Sequence, residues 1–570
     1  MATGKALDGK PYAGNPHVRF DEGEVAPAET PRRVSLLYNQ SNITLLALAL
    51  ASTHLAADPV CPVDPTMPFV PELSDEFEGS RLDDTKWADW SPSFRGRTSL
   101  GARVVAPGNG YLYCRDNVST RDGLLRLVAR PMRENEKTPE NLAQGFDAWA
   151  LAIVKSRGKG CYGYYEIRAK TMTACLCNGY WLYDPHSDDP DRKFTYGDIS
   201  EEVDVFEVGG HKGRNIPTRY NPGILCGTIH AYTTPYLEGI VNRTNRNPKD
   251  AGKVRVKLPF WMCDGFHTYG LLWTPTNLVW YVDGRRQDDR HNDYIHRPLH
   301  ITFDCEMMRV RGIPDPKDLP DEFQIDYVRV WRLDPGDPAL VARPRIEATA
   351  YDWYARHDRI CREAREVKCD VVFVGDDATH DWNDSPDRTS FGGFATGRRW
   401  LDAWGRYGAI NLGFAEDRTG NVLWRLKYGE LAGLAPRAFV VNVGGNNFVK
   451  TPYYPGDTVA ATEAGVWRIV DTLHRQFPSA HVILTGAIPF GSGPSDGHRP
   501  QITQLNAALS RSAALHPYVT FVDLSDRLLD TTGACRPEFF ESGCSRLSSA
   551  GYRVWQSALE PTLAKVAAPR

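Results

Sequence analysis

The stretch Ile199–Gly209 reads ISEEVDVFEVG, and its alternation decides how the first half of the chain is built. Successive side chains of a strand point to opposite faces, so Glu202 and Asp204 share one face while Val203 and Val205 share the other. Strict alternation would put Glu207 among the valines. One extra residue at Val205–Phe206, a β-bulge, returns Glu207 to the face of Glu202. Three carboxylates lining one groove raise one another's pKa, the condition for keeping one carboxyl protonated beside an ionised partner. An acidic patch that binds Ca2+, or plain charged surface, accounts for the same letters, because structural networks also perturb acids.

Outward from this segment, Pro68 to Leu333 is a series of short strands with turn signals between them. Leu124–Ala129, Gly163–Lys170, Asn277–Val282 and Gln324–Trp331 alternate with period two and are rich in β-branched and aromatic residues. That length of pattern predicts a large all-β sandwich over 61–335. Leu333–Ala350, LDPGDPALVARPRIEATA, carries three Pro and no period, which predicts a linker at 336–350. The period then changes. Apolar runs at Cys369–Val374, Ala409–Leu412, Phe439–Val443, His481–Ala487 and Val519–Leu524 read as buried parallel strands. Helical stretches at Ala460–Gln476, Gln501–Ala514 and Ser548–Leu559 complete a doubly wound α/β domain over 351–566.

The chain has 570 residues, enough for two domains and tails. A net charge of −4 without a Lys/Arg run argues against nucleic-acid binding. Aromatics make up 11%, with 15 Trp, which suits sugar-stacking clefts, although aromatic-rich cores account for most of those rings. Of the 12 Cys, no pair has a zinc spacing, and disulfide pairing is not readable from sequence. Residues 1–60 read as a polar leader containing the apolar run Ile43–Ala51, preceded by Arg32 and Arg33 and followed by Leu55–Ala57. This is the pattern of a secretory signal, too short for a membrane span and unusually deep in the chain. It predicts a secreted, periplasmic or cell-surface protein without a membrane partner.

The segment Glu202-Val203-Asp204-Val205-Phe206-Glu207 resembles the bulged signature of glycoside hydrolase family 16. SDEFEG (Ser74–Gly79), GYYEIRAKTM (Gly163–Met172), GYWLYDP (Gly179–Pro185), FHTYGLLW (Phe266–Trp273), VWYVDG (Val279–Gly284) and QIDYVRVW follow in the family's order. The resemblance implies a concanavalin-like jelly roll with a concave cleft. It implies a retaining glycosidase with Glu202 as nucleophile, Glu207 as general acid/base and Asp204 holding Glu202, the two glutamate carboxyls about 5–5.5 Å apart. Trp181 would stack a sugar ring. His230, Glu306, Trp90, Arg95 and Arg97 are candidate substrate contacts, each also explicable as a structural residue. The tokens YDP, FRGR and EMM look most like the agarase and porphyranase side, and Arg95 and Arg97 would suit a sulfated galactan. A β-1,3-glucan stays open, as does a glycan-binding protein without hydrolysis. No cofactor is required by this chemistry. The resemblance also implies a structural Ca2+ on the convex face, with Asp326 as its side-chain ligand.

The C-terminal half resembles the GDSL/SGNH-type esterases through VVFVGDD (Val371–Asp377), NLGFAEDRTGNVLWRL (Asn411–Leu426), NVGGNNF (Asn442–Phe448) and SSAGYRVW (Ser548–Trp555). It departs where the chemistry lies. Asp377 stands where the family has its nucleophilic Ser, and Arg546 where it has its His, while Gly413 and Asn446 remain at oxyanion-type positions. A serine esterase needs a hydroxyl and a base, so a non-catalytic domain is expected. A rearranged site using His380 and Asp377 is the alternative.

Overall fold

The computed structural model describes residues 58–88, 109–183, 199–217, 221–233, 253–308, 311–334, 336–345, 347, 351, 353–382, 397–451 and 454–567. The signal-like segment, Trp90, Arg95 and Arg97 lie outside these residues.

The first domain is a sandwich of two sheets. One sheet has seven antiparallel strands in the order Trp87–Ala88, Ile153–Ser156, His300–Glu306, Cys177–Tyr183, Ile199–Gly209, Ile224–Thr233, Lys253–Lys257. The other has nine, with Gly163–Lys170 and Asp321–Arg332 at its centre. Ile199–Gly209 therefore lies inside a sheet, between Cys177–Tyr183 and Ile224–Thr233. Val203, Val205 and Phe206 go into the core between the sheets with Leu182, Tyr269 and Phe323. The expected bulge is present: Tyr180 pairs with Phe206 but Trp181 pairs with Asp204, so Val205 is the extra residue. Trp280, from the opposite sheet, donates its indole N–H to the Val205 carbonyl at 3.0 Å. It reaches that carbonyl because position 227 is glycine, where a Cβ would stand 2.9 Å from the Trp280 Nε1.

The second domain has five parallel strands in the order Ala409–Gly413, Val371–Gly375, Ala438–Asn442, His481–Thr485, Val519–Val522. This is a doubly wound sheet whose order reverses beside its first strand, the place where such sheets form their ligand crevice. Buried Trp382, Trp400, Trp404 and Trp555 pack on one side of it. Ten of the 15 Trp are fully buried, so the aromatic content is mainly core.

The expected linker is not a solvated tether. Within it, the carbonyls of Ala339 and Arg343 accept from Thr419 Oγ1 and Asn421 Nδ2 at 2.9 and 3.2 Å, and Arg345 ion-pairs with Glu416 at 2.7 Å. Proline removes the repeat and some donors, but the carbonyls stay available, and they dock on the helix Thr419–Lys427. Among the described residues one disulfide is present, Cys535–Cys544, and ten cysteines are free thiols. No helix among them is long and apolar enough to cross a membrane.

Candidate active site

Strand register alone assembles the cleft. His300, Tyr183, Glu202 and His230 form one row across the sheet; Thr302, Trp181, Asp204 and Thr228 form the next; Asp304, Gly179 and Glu207 form the third. The bulge is what puts Glu207 in a row with Gly179 and Asp304. Gly179 leaves the space that lets these acids approach, since a Cβ there would lie 2.2 Å from Asp304 Oδ1.

Each acid has a definite neighbour. His230 Nε2 is 3.3 Å from Asp204 Oδ2 and 3.9 Å from Glu202 Oε1. Arg311, nearly fully buried, reaches Glu207 twice: Nη2 lies 3.1 Å from its carboxylate and Nη1 donates to its backbone carbonyl at 2.7 Å. Asp304 accepts from the Trp181 indole at 3.2 Å and the Tyr113 hydroxyl at 3.1 Å. Glu306 accepts from the Tyr111 hydroxyl at 2.7 Å.

The electrostatics follow from burial and crowding. Burial, then the charge of Asp204, pushes Glu202 well above the ordinary carboxylate value. Burial, then Asp204, lifts Glu207 to about 7, and Arg311 holds it from going higher. For His230, burial favours the neutral ring, but Asp204, Glu202 and Glu207 outweigh it and carry the imidazole to about 9. At neutral pH the cluster thus contains one imidazolium among its acids, with Glu207 close to half protonated. Such a set can donate one proton and keep a second carboxylate ionised.

Of the residues expected from sequence, Glu202, Asp204, Glu207, Trp181, His230 and Glu306 come together here. Glu202, Asp204 and His230 are the one group of three potential metal ligands that converges among the described residues. Asp326 is elsewhere, on the final strand, with its carboxylate taken by the Arg168 guanidinium. A guanidinium there repels a cation, so the geometry does not favour Asp326 as a Ca2+ ligand. Arg311, Asp304, Tyr111 and Tyr113 are additions. Asp304 was within reach of the period-two rule, standing two residues before Glu306. Arg311 follows the end of its strand, and nothing in its spacing marks it.

The corresponding place in the second domain looks different. Asp377 Oδ2 accepts from the Glu416 N–H at 2.8 Å and from Asn446 Nδ2 at 2.7 Å. Gly413 does not serve there as expected, because its N–H donates to Asn411 Oδ1 at 2.7 Å. His380 is buried with Nδ1 3.3 Å from the Gly413 carbonyl, and Arg546 pairs with Glu541 at 2.8 Å. A cavity of about 350 Å³ remains, lined by Asp376, Asp377, Asn446, Phe490, Asp496 and His498.

Residues 68–333 match the family model described as Beta-porphyranase A-D, GH16 domain, and residues 373–554 match the GDSL-like Lipase/Acylhydrolase family. The first region is a glycoside hydrolase family 16 domain, and the second is a GDSL-like domain. Beta-porphyranase E of Zobellia galactanivorans is 26% identical over 277 residues, covering 46% of this chain and 88% of that protein. Platelet-activating factor acetylhydrolase IB subunit alpha2 of Gallus gallus is 29% identical over 198 residues, covering 35% of this chain and 78% of that protein. The crystal structure of porphyranase B from Zobellia galactanivorans superposes with a TM-score of 0.36 at 21% identity, covering 48% of this chain and 97% of that one. The family 16 domain makes the chain a glycosidase, an enzyme that hydrolyses O-glycosyl bonds.

Proposed function

We propose that the family 16 domain is a retaining, endo-acting hydrolase of a β-linked galactan of the agarose or porphyran type, working outside the cell. The observation that carries the reading is the bulge, which sets Glu207 on the face of Glu202 and Asp204 beside Trp181. Glu202 in its ionised form attacks the anomeric carbon, and Glu207 in its protonated form gives its proton to the departing glycosidic oxygen. Glu207 then takes a proton from the water that cleaves the glycosyl-enzyme. Asp204 holds Glu202 and tunes its charge, while His230, within reach of both carboxylates, supplies the balancing positive charge. Trp181, fixed by Asp304, offers a ring face to the sugar. Support for the galactan comes from the porphyranase family model, the porphyranase relative and the kappa-carrageenase of Pseudoalteromonas carrageenovora, 26% identical over 246 residues (38% of this chain, 56% of that protein). Arg95 and Arg97 enter this proposal as partners for sulfate. The GDSL-like domain is proposed to be inert toward esters, since Asp377 cannot act as a serine.

The test is reducing-end release from agarose, porphyran, carrageenan and laminarin by wild type and Glu202→Gln, with acetate release measured alongside. Activity on one galactan, lost in the variant, supports the reading. Activity on laminarin alone replaces the galactan by a β-1,3-glucan. Binding without release replaces hydrolysis by recognition, and acetate release overturns the view of the second domain.

A further inference from the structure

Glu201, the residue before the proposed nucleophile, points away from the cleft and is fully buried. A carboxylate in a core is costly unless it is hydrogen-bonded. Here its Oε2 accepts the backbone N–H groups of His296 and Arg297 at 2.8 and 2.9 Å. Those two residues end a turn, Asn292–Arg297, made rigid from within. Asn292 Nδ2 donates to the Ile295 carbonyl at 2.8 Å, the Trp273 indole donates to the same carbonyl at 3.0 Å, and Tyr162 hydroxyl bonds His296 Nδ1 at 2.8 Å.

The outer side of this turn meets the GDSL-like domain. The Trp424 indole donates to the Asp293 carbonyl at 2.9 Å, and Lys427 Nζ reaches Asp293 Oδ1 at 3.0 Å. Both belong to the helix Thr419–Lys427. That helix is held from behind: buried Arg425 pairs with Asp417 at 2.8 Å and with Glu430, and the Trp424 ring lies 5.4 Å from Trp353. His296 senses the same neighbours, since burial, then the charges of Arg343 and Lys427, drives it down to about 3.

We infer that the GDSL-like domain serves as a brace for the catalytic strand: Trp424 and Lys427 fix the turn Asn292–Arg297, which fixes Glu201 and through it Glu202. The inference rests on the proposed role of Glu202. Glu201, Trp424 and Lys427 are positioning residues, since none of them touches the reacting atoms. A sub-ångström drift of a nucleophile lowers turnover more than binding. The domain's lost ester chemistry then has a simple reading: its scaffold is kept for its outer helix.

The test uses the full chain. In Trp424→Phe/Lys427→Met, kcat is expected to fall about tenfold with KM within about twofold of wild type, far-UV circular dichroism being unchanged. Glu201→Ala is expected to lose about a hundredfold in kcat, whereas Glu201→Gln, whose amide oxygen accepts the same two N–H groups, keeps within about threefold. Hydrogen exchange gives a readout independent of activity: the double variant is expected to speed exchange in peptides covering 292–297 and 199–209. Should wild type release no reducing ends, the hydrolase reading fails, and the exchange data decide the brace alone. Wild-type kcat in the double variant with the fold intact, or unchanged exchange, overturns the brace.

Discussion

The two domains treat a half-buried carboxylate in opposite ways. In the family 16 cleft, acid is set against acid: Glu202 and Glu207 are both driven upward by burial and by Asp204, with His230 and Arg311 as partial counterweights. In the GDSL-like domain, Asp377 sits where two donors, the Glu416 N–H and Asn446 Nδ2, already satisfy it. The first arrangement costs stability and stores reactivity. The second spends its polar groups on one another, and donors that face an anionic side chain are not free for an oxyanion in a transition state. A family's polar positions are therefore diagnostic only together with what they bond.

The largest expected effect separates the domains by activity. Glu202→Gln should lower galactan hydrolysis by about four orders of magnitude, because a covalent route has no substitute for that carboxylate. Asp377→Asn should leave it within about twofold. Equal losses in both variants, measured as reducing-end release at saturating polymer, would break the comparison.

Stability should run the other way. Folding raises the Glu202 pKa, so the protonated form's stability is full below the unfolded value near 4.5 and is lost as pH rises through the folded value. Above that range the native state carries the penalty of a crowded charge. Glu202→Gln removes it and should stabilise the protein at alkaline pH. Asp377→Ala should destabilise by about 1–2 kcal/mol, since it strips two donors of their acceptor. Denaturant midpoints at pH 8 for the two variants check the pair of signs, and two shifts of the same sign would defeat the contrast.

How legible all this was in sequence depends on the range of the interaction. The acid strand was legible because alternation, a local rule, assigns Glu202 and Asp204 to one face, and one inserted residue corrects Glu207. The parallel strands of the second domain were legible through their apolar runs, such as Val371–Gly375. The bulge's partner was not: Trp280 lies 75 residues from Val205, and no local pattern pairs them. Arg311 bonds a residue 104 positions away, from a turn without periodicity. The docking of Ala339 and Arg343 carbonyls on Thr419 and Asn421 was hidden for another reason, because it is made by backbone groups that every residue carries. Gly413 shows the limit of position-matching: the residue is in place, yet its N–H is spent on Asn411.

The smallest effect sharpens the balance within the cleft itself. Glu207 must be protonated to act as the acid, so turnover should decline as pH rises through about 7. Two neighbours pull that limb in opposite directions. Arg311 lowers the Glu207 pKa and Glu306 raises it. Arg311→Met should therefore move the basic limb of kcat to higher pH, and Glu306→Gln should move it to lower pH, each by less than about one pH unit. Arg311 acts through a direct 3.1 Å contact and is the larger influence on Glu207, whereas the Glu306 carboxylate is already bonded to Tyr111, so its shift should be the smaller. A pH profile of kcat between 5 and 9 resolves both. Shifts in the same direction would mean that Glu207 does not set the limb, and His230, which titrates near 9, would be the group to examine in its place.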